Sequence, residues 1–97
     1  MSSPLKDVKV GKTAALLKSI AHPIRLRILL ALTKKSGITV SALQGQLQVE
    51  LTQLSRYLKL MAGQGILRRR RKGNEIYYSI ANDALQKALT VFIAQQE

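Results

Sequence analysis

The stretch Ile66 to Ile80, ILRRRRKGNEIYYSI, limits the fold more than any other part of the chain. In its second half Ile76, Tyr78 and Ile80 alternate with Glu75, Tyr77 and Ser79, a period of two on β-favouring residues. Lys72-Gly73-Asn74 upstream offers turn-forming Gly and Asn, and Ile66, Leu67 and the arginines then make the partner strand. The spacing predicts a two-stranded hairpin. A lone pair of strands is marginal in water, so this one must lean on helices through Leu67, Ile76 and one tyrosine face. Successive strand side chains point to opposite faces, so Arg68 and Arg70 cannot face the same way as Arg69 and Arg71.

Helical spacing surrounds the hairpin. Val10, Ala14, Leu17 and Ala21, with Leu16 and Ile20 beside them, predict a first helix over 8–21 after a frayed terminus at 1–7. His22-Pro23 breaks it, and proline suits the first turn of a second helix, Pro23 to about Lys34. Ile24, Ile28, Ala31 and Leu32, with Leu29 alongside, make that helix apolar most of the way round and so the centre of the core. Thr39 is a cap for a short third helix with Val40, Leu43 and Leu47, weakened by Gly45 inside it. A fourth helix runs from about Glu50 to Gln64, and Asn82-Asp83 caps a last one carrying Leu85, Ala88, Leu89 and Phe92 over 82–96.

The fourth helix divides by projection. Leu51, Leu54, Leu58 and Met61 fall on one side, expected to face the core. Thr52, Ser55, Arg56 and Lys59 fall on the other, with two cations, short hydroxyls and no carboxylate. An ordinary solvated face usually mixes both signs. Hydroxyls let a helix approach a groove closely, and arginine bonds guanine edges bidentately or holds phosphate.

The chain carries a net charge of +11 on 97 residues, an excess that points to a polyanionic partner and to nucleic acid first. The charge is concentrated in residues 1–35 and 50–80 and spares 81–97. There is no cysteine, which excludes disulfides, thiolate metal sites and thiol redox chemistry. No apolar run approaches the ~20 residues of a membrane helix, so no membrane partner is expected and a cytoplasmic location is. One histidine and five scattered carboxylates show no catalytic pairing, so an enzyme is not expected.

The element order α-α-α-α-β-β-α, mainly α with a small β-hairpin, describes a single winged helix-turn-helix domain over 1–97. Residues 39–64 are the helix-turn-helix and 66–80 the wing. Three blocks carry a resemblance. Ala21-His22-Pro23-Ile24-Arg25-Leu26-Arg27-Ile28-Leu29, Leu54-Ser55-Arg56-Tyr57-Leu58-Lys59-Leu60 and Arg71-Lys72-Gly73-Asn74-Glu75-Ile76-Tyr77-Tyr78-Ser79-Ile80 resemble, in order and spacing, the core-helix, recognition-helix and wing signatures of ArsR/SmtB-type bacterial repressors. The resemblance implies a homodimer, joined through its first and last helices, that binds double-stranded operator DNA and represses transcription.

Thr52, Gln53, Ser55, Arg56 and Lys59 are then the candidate DNA-binding residues of the recognition helix, and Arg68, Arg70, Lys72 and Asn74 those of the wing. Leu16, Leu17, Leu85, Ala88, Leu89 and Phe92 are the candidate dimer interface. Metal-sensing members carry cysteines where Thr39 and Ser41 stand here, or Asp and His ligands on the last helix, where Leu85 and Gln96 replace the histidines. With one histidine in the chain no metal site and no cofactor is expected, and His22 is expected to cap or pack. Glu50 replaces the family's usual capping serine, Leu51 its frequent glutamine, and Ala62-Gly63 a commonly charged pair. A sequence-indifferent architectural or RNA-binding winged helix, or a module for an acidic partner protein, would use the same charge. The effector that releases DNA, a small molecule or a protein if there is one, is not written in the sequence.

Overall fold

The computed structural model describes residues 7–96, with side chains from Lys9 onward. The elements run α1 (Asp7–Ile20), α2 (Pro23–Lys34), β1 (Ile38–Thr39), α3 (Val40–Leu47), α4 (Leu51–Gly63), β2 (Leu67–Lys72), β3 (Glu75–Ile80) and α5 (Asp83–Gln96). Apart from Asp7, which opens α1, the terminus expected to fray lies outside the described residues. Among the described residues no helix is long and apolar enough to cross a membrane.

Helix α2 is the axis of the packing. Ile28, Leu29 and Leu32 are fully buried, and they meet Leu43 of α3, Leu54, Leu58 and Met61 of α4, and Leu85 and Leu89 of α5 in one continuous core. The His22 imidazole caps α2: its Nδ1 accepts the Ile24 N–H at 3.2 Å. Arg27 donates to the Leu47 carbonyl at the end of α3, where the helix dipole favours a cation. Thr39 caps α3 as its position predicts, its hydroxyl accepting the Ala42 N–H at 3.2 Å.

The wing differs from the expected hairpin. It belongs to a three-stranded antiparallel sheet in the order β1-β3-β2, with β3 central. Ile38 pairs with Tyr78 and Thr39 with Tyr77, while Leu67 to Lys72 pair with Ile80 down to Glu75. The two-residue β1 shields the otherwise open edge of β3. Gly73 turns the hairpin with φ +64° at the first position of a two-residue loop, as in a type II′ turn. Leu67, Tyr78 and Ile80 are buried, and the tyrosine face that meets the core is Tyr78's.

Between α4 and β2 the chain turns in three residues. The Ile66 N–H donates to the Met61 carbonyl at 2.9 Å and the Gly65 N–H to the Ala62 carbonyl at 3.0 Å, the paired bonds of a Schellman motif. Gly65 sits at φ +77°, where a side chain is strained, and Met61 and Ile66 are both buried against the core across the turn.

Two glycines therefore have opposite roles. A Cβ at Gly45 inside α3 meets nothing within 4 Å, so Gly45→Ala stabilises the protein by about 1 kcal/mol. Gly65→Ala destabilises it by roughly 1–2 kcal/mol, because alanine must take up left-handed backbone. Urea denaturation of the two variants reads both signs.

Candidate nucleic-acid interface

Helix α4 begins with an unusual cap. The Glu50 carboxylate accepts the N–H groups of Thr52 at 3.0 Å and Gln53 at 3.1 Å. The backbone N–H of Thr52, then its side chain, then the N–H of Gln53 hold the Glu50 carboxyl below its ordinary value, with Arg56 adding to the effect. The carboxylate thus does the work of the absent serine, and its charge is turned onto the helix's own free N–H groups.

Beyond the cap, Leu54, Leu58 and Met61 enter the core as expected, but Leu51 does not. It is 48% exposed and lines an open cleft of about 460 Å³ with Thr52, Ser55, Arg56 and Lys59. The projection puts Leu51 on the apolar side. At the first residue of the helix, however, no element among the described residues covers that side. Thr52, Arg56 and Lys59 are exposed, whereas Gln53 and Ser55 are half-buried on the flanks. The structure brings Thr52, Ser55, Arg56 and Lys59 to one surface, with Gln53 at its margin.

The rear of α4 is fixed by a cluster that projection alone does not reveal. With His22 Nδ1 acting as an acceptor, Nε2 carries the proton and donates to the Tyr57 hydroxyl at 3.3 Å. The Arg25 guanidinium lies 5.1 Å from the Tyr57 ring centroid and donates to the Ser19 carbonyl at 2.9 Å. The Ser19 hydroxyl donates to Gln64 Oε1 at 2.6 Å. Side chains from α1, α2 and α4 therefore set the orientation of the exposed α4 face. The place of His22 before the helix proline signals the cap, but nothing nearby in sequence signals its bond to Tyr57, 35 residues on.

In the wing, directly paired residues share a face. Arg68, Arg70 and Lys72 pair with Ser79, Tyr77 and Glu75, and Arg69 pairs with buried Tyr78. All five cations from Arg68 to Lys72 are exposed. Arg70 and Lys72 line an outer cleft of about 460 Å³ with Ser36 and Ser79. Arg71 lines it too, and its Nε donates to the Gly73 carbonyl at 3.2 Å, so the strict alternation loosens near the tip. Exposed Asn74 lies on a separate cleft beside Thr39 and Ser41.

The proposed dimer residues divide. Leu85 and Leu89 are buried in the core of their own chain and Leu16 is half-buried against it, so these three candidate dimer residues turn inward. Leu17 at 56% and Phe92 at 66% are exposed, as are Ala88, Val10 and Val91. On α1 the outward stripe is the one the sequence singles out at Val10, Ala14 and Leu17, while Ser19 and Ile20 turn inward.

A helix-turn-helix domain family matches residues 20–70. The transcriptional repressor PagR of Bacillus anthracis is 40% identical over 73 residues, 75% of this chain and 73% of the relative. The crystal structure of that repressor superposes with a TM-score of 0.81 over 90% of this chain and 99% of its own, at 33% identity. The chain belongs to the ArsR-type winged helix-turn-helix regulators. The biofilm growth-associated repressor of Agrobacterium fabrum is 31% identical over 97% of this chain and 83% of its own. A homodimeric winged helix-turn-helix domain from Mycobacterium bovis, described as a possible ArsR-family regulator, superposes with a TM-score of 0.83 at 25% identity, over 98% of this chain and 87% of its own.

In this ArsR-type regulator no group of three or more His, Cys, Asp or Glu converges among the described residues. Thr39 is a cap of α3 and a strand residue of β1. The Glu50 cap has a pH signature. A carboxyl whose folded value lies below its unfolded one, about 4.5, contributes stability that is fully present above 4.5 and lost as pH falls through the lower folded value. Between neutral pH and about pH 3 the wild-type melting temperature should therefore fall further than that of Glu50→Gln, measured by circular dichroism at matched ionic strength.

Proposed function

We propose that the protein is a homodimeric, sequence-specific DNA-binding repressor located in the cytoplasm, and that it does not sense metal. The observation that carries the DNA-binding face is the surface of α4. Thr52, Ser55, Arg56 and Lys59 share it without a carboxylate, and the five exposed cations of the wing follow in the chain. In this reading Thr52, Gln53, Ser55 and Arg56 read base edges in the major groove. Lys59 and the wing residues Arg68, Arg70, Lys72 and Asn74 hold phosphate or enter the adjacent minor groove.

The dimer rests on the exposed apolar residues of the terminal helices, Val10, Leu17, Val91 and Phe92, each at least half exposed. The homodimeric Mycobacterium bovis relative supports the same assembly. A two-fold dimer binds a near-palindrome whose half-sites lie about one helical turn, or a multiple of it, apart. With no cysteine and one histidine that already caps a helix and meets Tyr57, the chain lacks the donors for a transition-metal site. An effector, whether small molecule or protein, acts by binding the DNA-competent and incompetent forms with different affinity.

In-vitro selection from random duplexes tests the central reading. A repressor enriches a palindromic motif, whereas equal binding to random and selected duplexes leaves a sequence-indifferent, charge-driven binder. Arg56→Ala should relax preference at one base position by ~1–3 kcal/mol, while Arg70→Ala weakens all sequences alike and lowers the salt slope by ~1. If both variants do no more than shift the salt dependence, the charge-only reading stands. Phe92→Glu should give a monomer in sedimentation equilibrium at concentrations where the wild type is dimeric, with the palindrome bound no more tightly than one half-site.

A further inference from the structure

Of the large apolar side chains exposed among the described residues, Val10, Leu17, Val91 and Phe92 lie on α1 and α5. Leu51 and Leu60 remain, both on α4. Leu60 lies in the second half of that helix and does not line the cleft formed by the hydroxyl and cationic residues. Leu51 does, at the first residue of the helix and flanked by Thr52 and Ser55. Among the described residues nothing covers it, and a polar residue would serve the helix there at least as well. We infer that Leu51 is a specificity-determining residue that reads the C5 methyl group of a thymine in the major groove, an inference that rests on the DNA-binding reading above.

The chemistry singles out that base. The first turn of a recognition helix is the part that meets base edges. Beside the hydrogen-bonding groups that every base shows in the major groove, thymine alone presents a methyl group. A leucine set against guanine O6 and N7, or against the cytosine or adenine amino group, strips water from a polar atom and returns no hydrogen bond. Against the thymine methyl it buries apolar surface on both partners. Leu51 therefore selects thymine twice over, by favouring its methyl and by penalising the alternatives. The Glu50 cap sharpens this, because it holds the first turn rigid through Thr52 and Gln53 and so fixes where the leucine sits.

The experiment uses full-length protein and the duplex obtained by selection. Each thymine is replaced in turn by deoxyuridine, which differs only by the missing methyl. One position in each half-site should lose about fourfold in affinity, the effect of one buried methyl. At that position 5-methylcytosine should also bind more tightly than cytosine. In Leu51→Ala both differences should vanish while the circular dichroism melting curve stays close to the wild type, and Leu51→Gln should shift the selected base at that position away from thymine. If deoxyuridine is tolerated everywhere, or if Leu51→Ala keeps the wild-type sensitivity, the inference is overturned while sequence-specific binding stands. If selection yields no motif at all, the sequence-specific reading falls and the inference with it, while charge-driven binding remains.

Discussion

The turn from Met61 to Ile66 sets the relation between the two elements proposed to touch DNA. Its two hydrogen bonds end α4 and aim β2 in the same step, and the apolar pair Met61 and Ile66 closes it against the core. Gly65 is the one residue type that takes this backbone without strain. The angle between recognition helix and wing is thus a property of local backbone chemistry. Without that turn, the same residues would leave helix and cations free to move relative to one another.

The wing is tied down a second time by Thr39, whose backbone pairs with Tyr77 in the sheet while its hydroxyl caps α3. One residue therefore joins the helix-turn-helix to the wing from the side opposite Gly65. The cluster of His22, Arg25 and Tyr57 fixes the rear of α4 in the same manner, through long-range side-chain bonds. Three attachments of modest strength hold the orientation of a surface whose own residues contribute little to the core.

Much of this was legible in the sequence because it is periodic or local. The alternation at Ile76, Tyr78 and Ile80, the Thr39 and Asn82 caps and the apolar stripe of α2 each follow from residues a few positions apart. What escaped depends on distant parts of the chain. Two residues, Ile38 and Thr39, are too few to show a period, so β1 becomes a strand only when Tyr77 and Tyr78 arrive beside it. Leu85 and Leu89 look like a free stripe until α2 is set against them, and Leu51 looks buried until the end of the helix is found to be uncovered. Glu50 shows the opposite case: its acidic charge is visible in sequence, but whether it meets phosphate or its own helix depends on a rotamer.

Helix α1 turns inward mainly at Leu16, Ser19 and Ile20, and leaves Val10 and Leu17 uncovered along its outer side. In the proposed dimer that arrangement makes folding and assembly one equilibrium, since part of the apolar burial that stabilises each chain is completed by the other. Occupancy of a palindrome by such a protein rises more steeply than in proportion to the amount of chain made, because two chains must meet before either site is read well. In that proposed dimer the bare flank of α1 would be a counting device, setting a threshold dose below which newly made chains leave the promoter open.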